Sequence, residues 1–467
     1  MTSFIQVEKP LVNLLRGWPS PDLLPAKIIS AACQRILVDP SEYTPILQYG
    51  ADEGYEPLRE RLAQWLGRHY SVTPDADRIC ITGGASQNLA CILQSFTDPN
   101  YTRAVWMIAP SYHLAANIFA DSGFARKLKA VPEDDEGVNL DALETKMEKF
   151  EEQERIDTPH EPKPFKAPGP YRKLYRHIIY AVPTCANPSG KTMSLHRRVG
   201  LVKLARKYNA LIICDDVYDF LQWPLEGPTT PERTQEMRLP RLCDIEMSLG
   251  QAENDPQGFG HTVSNGSFSK IAGPGIRTGW AEATPAFALG LSKTASSVSG
   301  GAPSQFCAGM LADLLRTGEL EQFIEEKTRP ALQERHQLIM KAIHQYMAPY
   351  GVTARESSAT GSGIYGGYFV WLTLNHGPSC EVLAEAAMEE ENIMIGRGSI
   401  FAVPGDDEVE NFDQNIRLSF SWEPRETMVD AIKRLGALLK RMQGNVSYYQ
   451  ELAKQKRGTT ESTGTYV

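Results

Sequence analysis

From about residue 50 to residue 310, short apolar runs alternate with stretches in which apolar residues recur every three or four positions. The runs are RICITG (78–83), AVWMIAP (104–110), ARKLKAVP (125–132), HIIYAVP (177–183), ALIICDD (210–216), TVSNGSFS (262–269) and RTGWAEA (277–283). Several are almost continuously apolar, the pattern of strands covered on both faces. Between them, EPLRERLAQWLGRHY (56–70), SQNLACILQSF (86–96) and SLHRRVGLVKLARKY (194–208) carry helical spacing. In the last, Leu195, Val199, Val202 and Leu204–Ala205 fall near one stripe, and most basic residues fall outside it. Alternation of this kind predicts an α/β domain with a largely parallel sheet.

Beyond residue 310 the pattern changes. A charged helical stretch (320–347) leads to strand-like GGYFVWLTL (366–374) and QNIRLSFS (414–421), and TMVDAIKRLGALLKRM (427–442) is a closing helix. The expected organisation is an N-terminal arm joining the small domain (1–48), a large domain (49–310), a smaller α+β domain (311–445) and a polar, disordered tail (446–467). Segments 151–173 and 224–241, rich in proline and charge, are expected to be irregular insertions.

Composition narrows the function. A net charge of -9 argues against a broad nucleic-acid surface. No apolar run approaches the ~20 residues that span a bilayer, and the first residues lack a basic segment followed by an apolar core. The eight cysteines form no CxxC pair and no zinc-like spacing. A reducing, cytoplasmic setting and no metal are expected.

Polar and special residues gather where strands end, which is where α/β sheets bind ligands. TGGASQNLA (82–90) leaves a strand and opens a helix. Its glycines, Gly84 among them, allow close backbone approach, and the helix start offers unpaired amides to a phosphate. A plain turn capped by Ser86 is the alternative. Asn187, in ANPSG, either shapes its turn or donates to a ligand. Asp215 ends an apolar strand and needs a cation or strong donor if buried; otherwise it caps the next helix. Tyr218 follows three residues later. Lys270, in SFSKIAGPGIR, is either a solvated charge or an amine nucleophile. Ser267, Ser269 and Arg277 around it suit an anion.

In this order, LQYG, TGGASQ, APSYH, VPTCANPSG, DDVYDFL, SFSK…R, GGYFVW and IRLSFS resemble the motifs of the class I and II aminotransferases. These are fold-type I enzymes that use pyridoxal 5′-phosphate. The likeness is greatest to the aminoadipate/kynurenine branch and to fungal 2-aminoadipate transaminase-like proteins, and it covers most of the chain. It implies a large domain with a seven-stranded, mostly parallel sheet sandwiched by helices, plus a small α+β domain. Lys270 matches the lysine that holds the cofactor covalently and moves the substrate's α-proton. Asp215 matches the carboxylate at the ring nitrogen, and Tyr218 and Asn187 the pair at the ring's 3-oxygen. Tyr112 matches the residue stacked on the ring. Gly84, Ala85 and Ser86, with Ser267, Ser269 and Arg277 opposite, match the phosphate cradle. Arg417 matches the grip on the substrate carboxylate, with Asn187 and Gly17 beside it. Tyr49 matches a tyrosine that reaches the phosphate of a neighbouring subunit, which implies a homodimer with shared sites. Many relatives have Ser or Thr where this chain has Ala85, so that phosphate contact falls to the backbone.

The implied reaction passes an amino group from an L-amino acid, such as 2-aminoadipate or an aromatic donor, to a 2-oxo acid such as 2-oxoglutarate. Elimination, including C–S cleavage, starts from the same deprotonated α-carbon and is the competing reading. A non-catalytic regulator is a third, disfavoured because the aminotransferase-like pattern begins near residue 14 and the chain is acidic. Partners are therefore small molecules and a second copy of the chain, with no nucleic acid or membrane.

Overall fold

The computed structural model describes residues 9–157, 163–228, 230–236, 238–354, 363–375, 377–406, 411–445, 447–449 and 451. The main sheet is built from β1 (Ile79–Thr82), β2 (Ala104–Ala109), β3 (Leu128–Asp134), β4 (Gly137–Val138), β5 (His177–Ala181), β6 (Ala210–Asp215), β7 (Thr262–Ser267) and β8 (Gly279–Glu282). Their order across the sheet is β1-β8-β7-β6-β5-β2-β3-β4. Neighbours from β7 through β3 run parallel, whereas β8 is antiparallel to both of its neighbours. All seven predicted strands are present. The eighth, β4, is a two-residue edge strand that folds back on β3, too short to leave a pattern in sequence.

The three predicted helices form as Glu56–Tyr70, Ala85–Phe96 and Leu195–Lys207. In the first, Leu58, Leu62, Leu66 and Trp65 make the buried stripe, with exposed polar residues on the outer face. Ser194 caps the third by accepting from the Arg197 amide.

Two expectations need correction. Segment 151–173 is not irregular throughout, because helix Leu140–Asp157 runs into it. Its acidic end is held inward: Glu151 accepts from Arg176 Nε at 2.9 Å and meets His177 Nε2 at 2.9 Å. Stretch 224–241 likewise holds Pro224, the end of strand Gln222–Pro224, and a helix at Pro231–Glu236. The stretch 320–347 is helical, but wider turns at Ile324–Thr328 interrupt it before Arg329–Tyr346.

A second, four-stranded sheet orders Val352–Ala354, Phe369–Leu374, Asn415–Ser419 and Gly396–Arg397. Helix Arg425–Gly444 packs with Arg329–Tyr346. Val12–Asn13 pairs in parallel with Ile393–Met394, tying the arm to this C-terminal part. Of the expected tail, Tyr449 is buried, so residues 447–449 are not disordered; the rest lies outside the described residues apart from Glu451. All eight cysteines are free. No helix among the described residues is long and apolar enough to cross a membrane.

Candidate active site

Because β1, β2, β5, β6 and β7 run the same way, their carboxyl ends share one edge of the sheet. There a cavity of about 270 Å³ opens. It is lined by Gly17, Ala85, Ser86, Tyr112, Asn187 and Asp215 and, across from them, by Tyr218, Ser267, Ser269, Lys270, Arg277 and Arg417. These residues come from positions 17 to 417, yet all were singled out in sequence. Two expected members are placed differently. Neither Gly84, which lies against Arg277, nor Tyr49, which is 77% exposed, is among the cavity's lining residues.

Period-two alternation decides between the two carboxylates that end β6. Asp215 faces the cavity, whereas Asp216 turns the other way and accepts from Ser264 Oγ. The loop beyond is locked from outside. Trp65 stacks on Phe220 with ring centroids 4.1 Å apart, and Tyr70 donates to Asp219 at 2.5 Å. That packing fixes Tyr218 at the cavity wall, itself only 3% exposed.

Asp215 Oδ2 accepts from Tyr180 at 2.7 Å, while Oδ1 is buried with no partner. Burial pushes this carboxyl up to about 6, against the Tyr180 bond and the nearby Lys270 charge. Lys270 Nζ donates to Gly17 O at 2.6 Å. Burial brings its amine down to about 8, with Asp215 opposing and Arg417 assisting. Burial also pushes the Tyr112 phenol up to about 12 and raises Tyr218.

Arg417 Nη1 donates to Asn187 Oδ1 at 2.7 Å and Nη2 to Leu15 O at 2.6 Å, while Nε is buried without a partner. Its guanidinium lies 3.8 Å from the Phe369 ring centroid. Burial brings it down to about 10. Its two end nitrogens are thus already engaged on one side. The engagement has a use: with Oδ1 turned to Arg417, Asn187 keeps its amide N–H bonds for another acceptor.

At the other end, helix Ala85–Phe96 begins with Gly84 and no side-chain cap, leaving first-turn amides unpaired. Opposite them, Ser269 N and Ser269 Oγ both meet Ser267 Oγ, and Arg277 Nη1 lies 3.4 Å from Ser269 Oγ. Arg277 Nη2 donates to Gly83 O at 3.1 Å. Gly84 has a φ of +98°, and a Cβ there would sit 2.8 Å from Arg277 Nη2. Gly84→Ala is therefore expected to cost roughly 1–3 kcal/mol and to displace Arg277. Thermal melts and cofactor titration check this; wild-type values in both would mean that Arg277 is not held through Gly84.

Several functional residues carried no assigned role in sequence. Tyr180 sits inside an apolar strand, and a buried phenol requires a partner, which was the available signal. Tyr368 donates to Lys270 O at 3.0 Å, and Phe369 packs where a Cβ on Gly17 would fall. His113 lines the cavity with both ring nitrogens buried and without partners, and burial lowers its pKa to about 4. Only tertiary contacts distinguish it from a helix-start residue.

The family profile for aminotransferase class I and II matches residues 21–435. The chain belongs to this family. It is an aminotransferase, an enzyme that transfers an amino group. It is 34% identical over 449 residues to the uncharacterized protein YER152C of Saccharomyces cerevisiae, covering 92% of this chain and 97% of that one. It is 28% identical over 434 residues to aromatic-amino-acid aminotransferase 1 of Thermococcus litoralis, covering 92% and 88%. Among solved structures, LysN, the alpha-aminoadipate aminotransferase of Thermus thermophilus, complexed with N-(5′-phosphopyridoxyl)-L-leucine, superposes with a TM-score of 0.71 at 26% identity. That likeness covers 93% of each chain. The aminotransferase therefore has the fold-type I architecture, and its family implies pyridoxal phosphate with amino and 2-oxo acid substrates.

Proposed function

We propose that this aminotransferase uses pyridoxal 5′-phosphate in the cavity described above. The donor is an L-amino acid of the aminoadipate or aromatic kind, and the acceptor is 2-oxoglutarate. The observation that carries the reading is the unpartnered, buried Asp215 Oδ1 across the cavity from an anion cradle, with Lys270 between. A protonated ring nitrogen satisfies that oxygen, and the cradle takes the phosphate dianion.

When bound, the cofactor supplies an electron-withdrawing ring that stabilises negative charge at the substrate α-carbon. The chain's residues do the rest. Asp215 keeps the ring nitrogen protonated. Asn187 and Tyr218 donate to the ring's 3-oxygen, and Tyr112 covers one ring face. Ala85 and Ser86 amides, Ser267, Ser269 and Arg277 hold the phosphate. Arg417, pinned by Asn187 and Leu15, presents its remaining N–H bonds to the substrate carboxylate and so orients the Cα–H bond. Lys270, whose amine is neutral above about pH 8, holds the cofactor and then carries the α-proton.

The division into an arm (1–48), large domain (49–310) and small domain (311–445) is part of the same reading, supported by the pairing of Val12 with Ile393. So is a cytoplasmic homodimer in which the exposed Tyr49 reaches the partner's phosphate site.

A panel of amino donors with 2-oxoglutarate tests the reaction. Glutamate formation with aminoadipate or aromatic donors is expected. Pyruvate or ammonia released without any acceptor would instead establish elimination.

A further inference from the structure

Outside the catalytic cavity, an open groove of about 960 Å³ lies between the N-terminal arm and the helices of the C-terminal part. Two helices start at it. Ala26–Val38 and Arg425–Gly444 have Pro25 and Pro424 at their N-caps, and neither start has a side-chain cap. Proline offers no capping oxygen, so apart from Ala26 N, which donates to Leu24 O at 2.9 Å, first-turn amides of both helices are unpaired at one place. Lys27, Ile28, Arg425, Glu426 and Thr427, which carry such amides, all line the groove.

The second observation is independent of the helix starts. Arg335, from the middle of helix Arg329–Tyr346, lines the same groove and is only 4% exposed. Its Nη1 donates to Phe420 O and Glu423 O. Its Nε and Nη2 have no partner among the described residues, and no carboxylate there lies at ion-pair distance. Nε and Nη2 form the edge of a guanidinium that grips a carboxylate with two parallel N–H bonds. Burial and the charge of Arg425 lower its pKa, and the more distant charges of Asp22 and Glu334 only partly offset this. Lys27 and Lys327 stand exposed at the rim, and Arg425 is turned to Glu334 at 2.6 Å. Acidic lining is confined to Asp22 and Glu426. Leu23, Ile28, Phe323 and Ala331 supply apolar wall.

We propose that this groove binds a small carboxylic acid with an apolar body, its carboxylate on the Nε/Nη2 edge of Arg335 and the paired helix starts. The groove is not isolated from catalysis. The segment just before Pro424, whose carbonyls hold Arg335, also holds the arm: Ser421 Oγ donates to Trp18 O at 2.7 Å, and Trp422 packs edge-on against Trp18. Trp18 and Gly17 are walls of the catalytic cavity. An occupant therefore fastens the arm that carries those walls.

The test uses purified holoenzyme and 3-phenylpropanoate, which has no amino or oxo group to react. Reductive methylation of individual lysines is followed by mass spectrometry. The probe is expected to protect Lys27 and Lys327 saturably and to leave Lys440, exposed near the other end of helix Arg425–Gly444, unprotected. Arg335→Lys loses the two-pronged edge and is expected to weaken protection by about tenfold. Thr427→Glu places a carboxylate over the free amides and is expected to abolish it, and this change at a half-buried groove position decides the matter should the Arg335 variant fail to fold. Three results would each overturn the proposal: no saturable protection, protection that survives Thr427→Glu, or equal protection by inorganic phosphate at matched ionic strength.

Discussion

Lys270→Ala is expected to bind pyridoxal phosphate without a borohydride-reducible link and to lose about four orders of magnitude in turnover. Both effects have one source. Lys270 is the lysine among the cavity's lining residues, and it stands beside Asp215 with its backbone carbonyl fixed by Tyr368. Among the described lining residues no second lysine can replace it as covalent anchor or as carrier of the α-proton. Phosphate contacts through Ser267, Ser269 and Arg277 remain, so the cofactor is retained while chemistry fails. A second consequence concerns pH. The amine is held near 8 rather than 10.5, and only its neutral form attacks a carbonyl. Capture of the cofactor by apo protein should therefore speed up by about tenfold per pH unit below 8 and level off above it. Borohydride trapping with peptide mapping reads both. A reducible link retained in the variant, or a capture rate still rising tenfold per unit at pH 10, would remove Lys270 from this role.

Asp215→Asn is expected to separate activity from stability. With the cofactor bound, the variant lacks the carboxylate that keeps the ring nitrogen protonated, and turnover falls by about 10²–10³-fold. Affinity for the cofactor falls far less, because the phosphate cradle and the covalent link are untouched. Without the cofactor the sign reverses. The carboxyl's pKa is raised from 3.8 to about 6 in the folded chain, so the native state binds this proton more tightly than the unfolded state does. Its stabilising contribution is full below pH 3.8 and is lost as pH rises through about 6. At neutral pH the ionised, half-satisfied carboxylate costs the apo protein roughly 2–3 kcal/mol. Asparagine avoids that cost and still accepts from Tyr180. The apo variant should melt higher than wild type at pH 7, with the gap closing toward pH 4. Unchanged turnover, or a lower apo melting temperature at pH 7, would count against Asp215 as the ring-nitrogen partner.

Much of the site was legible because it sits at strand ends, and strand ends are local features. ALIICDD announces a covered strand finishing in acid, and TGGAS a strand turning into a helix. Lys270 and Arg277 share one loop before β8, so their association was also local. Residues missed were those whose role depends on distant partners. Tyr180 looked like one more apolar strand position until its hydroxyl met Asp215. Arg417 was found, but its pinning by Asn187 and Leu15 joins residues 230 and 402 positions apart in the chain. The helix within 151–173 was hidden by proline and charge, since its partners, half-buried Arg176 and buried His177, lie at the start of the next strand.

By itself, the sequence determined the alternation of covered strands and striped helices, the family motifs and the chemical types at the sheet's edge. Those follow from periodicity and from residues that only turns and strand ends accommodate. The tertiary structure alone decided that Asp215 meets Tyr180 while Asp216 meets Ser264, how far Lys270 and Asp215 depart from their ordinary pKa values, and that Arg335 lies buried beside two uncapped helix starts. Burial and charge proximity set those outcomes, and both depend on which distant segments pack together.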